Sequence, residues 1–276
     1  NQTPKSTIHN FWLQNHTARL PLGMGCAWLQ GHTDPEKVRN AMLTLETAYE
    51  LGIRYYDTAR AYGDSETMLG EFIPTVPRES IFLATKFNLP RGGGKTPQEA
   101  AAQAAVFLQE SLERLRTDHL DLYQVHDSTD MPLVFEPGGV LEFLLDAKRE
   151  GLIRHIGMAI REQRILEYAV GHESFDTILT WGEFSPFNQD AAGLIERASR
   201  RNMGVINASP LFDARRRNLD FTDPRILAAV IQYPMTNPGI AMTLSGPSNP
   251  AEIRATVAAA LAQVDRGLWE EWKTPV

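Results

Sequence analysis

The sequence holds a single cysteine, Cys26, so no intrachain disulfide can form. A large chain without a disulfide framework suits a reducing compartment, and the expected location is cytoplasmic. Long apolar runs are missing too: no stretch approaches the ~18 consecutive apolar residues of a membrane span, and no membrane is expected as a partner. The opening Asn1-Gln2-Thr3-Pro4-Lys5 has no apolar signal-peptide core. Positive charge is scarce. Against 34 Asp and Glu stand 27 Lys and Arg, a formal net charge of -7, which leaves no basic excess for phosphates and argues against a nucleic-acid surface. The run Arg215-Arg216-Arg217 is a local exception, read as solvated loop charge or as an anion contact. No G-x-G-x-x-G occurs, which counts against a doubly wound open sheet, since that fold would carry such a loop after an early strand. Gly92-Gly93-Gly94 lacks the frame of a phosphate loop and reads as a flexible lid or turn.

What is present is an ordinary globular composition, 43% hydrophobic and 22% charged over 276 residues, and enough chain to bury a core without staples. Short β-branched runs alternate with helical patterns to the end. Strands are expected at 22–27, 53–58, 80–86, 120–126, 155–160, 176–180, 204–208 and 240–245. Helices are expected at 34–52, 65–73, 96–115, 140–150, 162–170, 191–201, 224–231 and 250–263. Asp34-Pro35 and Thr96-Pro97 mark helix starts, with a capping side chain followed by proline at the first helical position. Eight strand–helix units imply parallel strands joined by crossover helices. The expected fold class is α/β, a (β/α)8 TIM barrel. It would form one domain over 1–276, with an N-terminal arm at about 1–20 and a C-terminal tail at about 264–276.

Barrels place chemistry at the C-terminal ends of their strands. Asp57 ends the second expected strand, Lys86 the third and His126 the fourth, and Tyr62 follows Asp57 in a loop tightened by Gly63. Any one of these is ordinarily structural; three on consecutive strand ends point to function. A phenol exchanges protons poorly near neutral pH because it titrates near ~10, and a neighbouring ammonium favours the phenolate. Lys86 could supply that charge, Asp57 could fix the lysine, and His126 could hydrogen-bond a substrate oxygen. Such a group protonates a carbonyl oxygen while hydride reaches the carbon, or runs the reverse, and the hydride must come from a cofactor.

The stretch Gly52-Ile53-Arg54-Tyr55-Tyr56-Asp57-Thr58-Ala59, with Tyr62-Gly63-Asp64-Ser65-Glu66 and Leu69-Gly70, resembles the aldo-keto reductase family. So do Ala84-Thr85-Lys86, Leu120-Asp121-Leu122-Tyr123 leading to His126, and Gly151-Leu152-Ile153-Arg154-His155-Ile156-Gly157. The likeness spans nearly the whole chain in order. It implies the same barrel, a tetrad of Asp57, Tyr62, Lys86 and His126 with the tyrosine as general acid/base, and a nicotinamide cofactor. Val205-Ile206-Asn207-Ala208-Ser209-Pro210-Leu211 and Gly157-Met158-Ala159 are similar to the branch that oxidises galactose- or fucose-type aldoses. A small carbonyl or sugar substrate is therefore expected. A nucleotide-sensing regulatory subunit of the same fold is the alternative.

The resemblance also locates a cofactor cradle: Ser209, Pro210 and Leu211, the turn Ser245, Gly246 and Ser248, and Glu252 in the first turn of the helix that follows. Helix N-terminal amides favour an anion there. The common carboxamide contacts are replaced by Ala159 and Ile160, and the common stacking tyrosine by Ala208, so a stack would have to come from Trp181 or Phe212. NADP or NAD stays open: family habit favours NADP, while Glu252 would repel a 2′-phosphate and could accept a ribose hydroxyl. Arg254 or the Arg215 to Arg217 run could compensate. Trp28, Phe87 and Trp181 are candidates for a substrate wall or for packing, and Trp269 and Trp272 for draping the mouth or packing on the barrel. His126, Asp127 and Asp130 are weak as metal ligands, and no metal is expected.

Overall fold

The computed structural model describes residues 20–89 and 95–273. Nearly all of the expected arm, the Gly92-Gly93-Gly94 segment and the last three residues lie outside these. Eight strands, β1 (Leu22–Gly25), β2 (Tyr55–Asp57), β3 (Phe82–Asn88), β4 (Leu120–His126), β5 (Ile153–Ala159), β6 (Thr177–Trp181), β7 (Gly204–Ala208) and β8 (Met242–Ser245), pair parallel in sequence order. β8 closes onto β1 through Leu22–Thr243, Gly23–Leu244 and Met24–Ser245. A doubly wound sheet would leave two free edges, and here both are paired.

Among the described residues eleven helices surround the barrel: α1 (Pro35–Glu50), α2 (Ser65–Phe72), α3 (Pro97–Leu115), α4 (Met131–Phe135), α5 (Val140–Arg149), α6 (Gln163–Gly171), α7 (Ala192–Arg200), α8 (Phe212–Arg216), α9 (Pro224–Met235), α10 (Pro250–Leu261) and α11 (Gly267–Lys273). The start signals act as the sequence implies. Asp34, Asp223 and Asn249 each accept an amide of the first turn, and Thr96 with Glu99 forms a reciprocal capping box, each with proline just inside the helix.

Differences from expectation are local. Residues 78–80 form a 3-10 turn, so β3 begins at Phe82 and runs past Lys86 to Asn88. The chain turns after Cys26, whose carbonyl accepts Leu29 N, and β1 ends at Gly25. α9 continues beyond Ile231 because its last turn absorbs Pro234. α4, α8 and α11 have five to seven residues, too few to produce a periodic apolar signal.

Alternation along the strands sorts side chains into two layers. Tyr55, Phe82, Ala84, Leu122 and Leu179 face into the barrel, with Tyr55 stacked on Phe82 at 5.0 Å between ring centres. Their neighbours pack outward against the helices. Gly70 lets α2 lie against the end of α3, since a Cβ there would stand 1.9 Å from the Arg114 carbonyl oxygen. Beside it Glu66, fully buried, accepts from Thr85 Oγ1 (2.6 Å) and Arg114 Nε (2.7 Å). None of the described helices is long and apolar enough to cross a membrane.

Candidate active site

The ends of β2, β3 and β4 bring three of the four tetrad candidates together. Asp57 closes β2 and pairs in register with Ala84; Lys86 pairs with Gln124, and Asn88 with His126. Lys86 points inward on the same parity as Phe82 and Ala84. Its ammonium is almost entirely buried and donates to the Asp57 carboxylate and to Thr58 O (2.8 Å). Burial alone would pull the lysine pKa down, but the charge of Asp57 and the Tyr62 phenol outweigh it and hold the pKa above its ordinary value. Lys86 is thus a cation fixed by two protein oxygens.

Tyr62 stands on the loop after β2, half-buried, with its ring centre 4.8 Å from Lys86 Nζ. His126 meets the same ring edge-on at 5.7 Å. Burial, aided by the charge of Lys86, pushes the His126 pKa down to about 3, so the imidazole is neutral near pH 7 and keeps one N–H. Its Nδ1 is buried with no protein partner, and Nε2 lies 3.7 Å from Asp127 Oδ2. A phenol, a fixed ammonium and a neutral imidazole around one opening can exchange a proton with an oxygen placed among them. Cys26, the nearby thiol, is no rival nucleophile: burial and then the charge of Asp57 hold its pKa far above the ordinary thiol range.

The opposite side of the mouth is built from β6, β7 and β8. Trp181 ends β6 in register with Ala208 and tilts against Phe212, 4.6 Å between centres. Arg161, just past β5, spreads over both rings at 5.3 and 5.4 Å, and its Nε lies 3.9 Å from Glu183. Ser209 adopts a left-handed conformation (φ 56°) at the turn into α8. Ser245 ends β8 buried, and Gly246 lies under the indole of Trp28, where a Cβ would approach Trp28 Cδ1 to 3.1 Å. Glu252 folds back over the start of α10, accepting from Ser248 N (2.7 Å) and Oγ (3.0 Å), while Asn249 accepts Glu252 N (3.0 Å).

A family model described as the aldo/keto reductase family matches residues 21–226. The chain belongs to the aldo/keto reductase family. As such it is an NAD(P)-dependent oxidoreductase. Among curated relatives, a D-threo-aldose 1-dehydrogenase of a Pseudomonas species is 28% identical, with 84% of this chain and 86% of the relative covered. An L-galactose dehydrogenase of Arabidopsis thaliana is 26% identical over 91% of this chain and 87% of its own. Among solved structures, the holo form of an aldo-keto reductase from Bacillus halodurans has a TM-score of 0.71 and 26% identity, covering 94% of this chain and 93% of that one.

In this aldo/keto reductase two wall candidates part company. Trp28 stays at the rim, 63% exposed. Phe87 does not line the mouth: Lys86 faces inward, so its neighbour faces outward, fully buried and stacked on Tyr123 at 4.6 Å. Trp269 packs on the barrel wall, donating Nε1 to Ala229 O (2.8 Å) and meeting Tyr233 edge-on; Trp272 leans on Phe187. Two polar residues beside the tetrad escape a search confined to strand ends. Gln124, two residues before His126 on the same face of β4, donates to Asp57 Oδ2 (3.3 Å), and a period of two counted back from His126 would have found it. Gln30 bonds the main chain of Tyr62 from another loop, and no local sequence signal announces it.

Proposed function

We propose that this chain interconverts a small hydroxyl substrate and its carbonyl, with Tyr62 as the proton-transfer group. The observation that carries the reading is the buried Lys86, bound by Asp57 and lying 4.8 Å from the Tyr62 ring. Charge that develops on the phenol as it gives up its proton is balanced by a cation already in place, with no reorganisation needed. Asp57 and Thr58 O hold that cation, and neutral His126 offers a hydrogen bond to the substrate oxygen. The residues opposite suit a dinucleotide: the Trp181–Phe212 pair is an apolar shelf, Arg161 a cation, and the start of α10 the positive end of a helix dipole. Ser209, Pro210 and Leu211 extend the same rim. The dinucleotide, when bound, supplies or accepts the hydride.

NAD(H) is the better fit of the two dinucleotides. Glu252 already takes the Ser248 amide and hydroxyl at the helix start, and its carboxylate would face a 2′-phosphate with like charge. The aldose dehydrogenases among the relatives support an aldose as substrate. The test is a panel of aldoses, simple aldehydes and ketones, run with each dinucleotide and followed by nicotinamide absorbance. Aldose-dependent reduction of NAD is expected. Tight dinucleotide binding with no turnover anywhere in the panel would favour the regulatory-subunit reading instead.

A further inference from the structure

The loop between β1 and α1 is sewn to the loop between β2 and α2 at Tyr62. Gln30 is exposed, where a glutamine amide would ordinarily bond water, yet its side chain is held by main chain on three sides. Nε2 donates to Tyr62 O (2.6 Å) and Ala27 O (2.8 Å), and Oε1 accepts Asp64 N (3.2 Å). Asp64 returns the contact, its Oδ2 accepting Gly31 N (3.0 Å) and His32 N (3.1 Å), and Ser65 Oγ donates to Cys26 O (2.7 Å). Gly63 fits this seam twice over. Its φ of 55° favours glycine, and a Cβ there would stand 2.4 Å from Gln30 Oε1.

The other main-chain bonds of Tyr62 are local: its N donates to Ala59 O (2.9 Å), and its O accepts Ser65 N (3.1 Å). Gln30 ties that backbone to a different strand's loop. Lys86 is fixed by β3, Asp57 and Thr58, so the Lys86–Tyr62 spacing is set by where the Tyr62 backbone sits. A misplacement near 1 Å at a reacting group can cost ~10²-fold in rate. We propose that Gln30 is a positioning residue, holding the Tyr62 main chain so that the phenol stays against Lys86 and His126. The proposal rests on the acid–base reading of Tyr62 given above.

The experiment compares Gln30→Ala, Gln30→Glu and Tyr62→Phe with the unaltered chain, using the substrate that turns over fastest in the panel. Gln30→Ala is expected to lower kcat about tenfold or more, with the dinucleotide KM and the Tm unchanged and with faster hydrogen exchange at the Asp64 amide. Gln30→Glu cannot donate to Tyr62 O as a carboxylate but can as the acid. Its activity relative to the unaltered chain should therefore rise as pH falls toward the carboxyl range, a change that a merely structural role would not produce. A loosened Asp64 amide with full kcat in Gln30→Ala, or a flat pH ratio in Gln30→Glu, would overturn the proposal. Full turnover in Tyr62→Phe would overturn the acid–base reading itself. An inactive Tyr62→Phe beside a fully active Gln30→Ala would overturn the positioning role alone.

Discussion

The two sides of the barrel mouth are built on different principles. Near the ends of β2 to β4, Asp57, Lys86 and Gln124 are buried and bonded across strands, with Lys86 on Asp57 and Thr58 O and Gln124 on Asp57. Past the ends of β6 to β8, beyond the buried Ser245, the polar groups are exposed or half-buried, lie on turns, and satisfy one another locally, as Glu252 does with Ser248. Proton transfer needs a group held in one place in a low-dielectric setting, where charge interactions are strong. Dinucleotide recognition needs donors and a shelf on an open rim, and loops can exchange those residues without disturbing the core. Under the proposed function, the first side carries the reaction class and the second the choice of cofactor.

Substitutions at the two sides should separate these roles. The largest effect is expected from Lys86→Met. Removing one partner of a buried pair costs about 3–5 kcal/mol, so denaturant unfolding should show a loss of that order, together with the loss of turnover. Next comes the acid behaviour of His126. Its folded pKa, about 3, lies below the ordinary 6.5, so between those values the unfolded chain binds the proton and the folded chain does not. Stability should fall as pH falls through that window, by up to about 5 kcal/mol in all, and should be complete above it. Unfolding curves measured from pH 7 to pH 4 should show His126→Asn losing less stability than the unaltered chain. A parallel loss in both would mean that His126 is not the group responsible. The smallest effect belongs to the open rim. Glu252→Arg removes a like charge and adds a donor. A bond to a charged group is worth about 1.5–3 kcal/mol, so dinucleotide titrations should show the affinity ratio shift toward NADP(H) by about tenfold or more, with unfolding little changed.

The same contrast explains what the sequence made legible. Helix starts could be read from their caps, and the nearness of Asp57, Lys86 and Tyr62 from adjacent strands together with the motif around Tyr62, because each depends on residues close along the chain or on neighbouring strands. β4 and β7 run over the expected residues, 120–126 and 204–208. Phe87 was ambiguous only until the inward face of β3 was known, since Lys86 then sends its neighbour outward. Gln124 was legible in principle from alternation. Gln30, the Trp28 contact over Gly246 and the Trp269 bond to Ala229 were not, because each joins segments far apart in sequence through a turn or a single side chain. The identity of the dinucleotide stayed open for the same reason: it depends on how Glu252 folds over Ser248, and composition does not show that.

The most direct measurement of the central claim is turnover in Tyr62→Phe, with dinucleotide affinity measured on the same preparation. General acid–base groups contribute ~10²–10⁴-fold. The expected result is a fall in kcat of at least about a hundredfold with dinucleotide affinity unchanged; unchanged kcat would contradict the assignment of proton transfer to Tyr62.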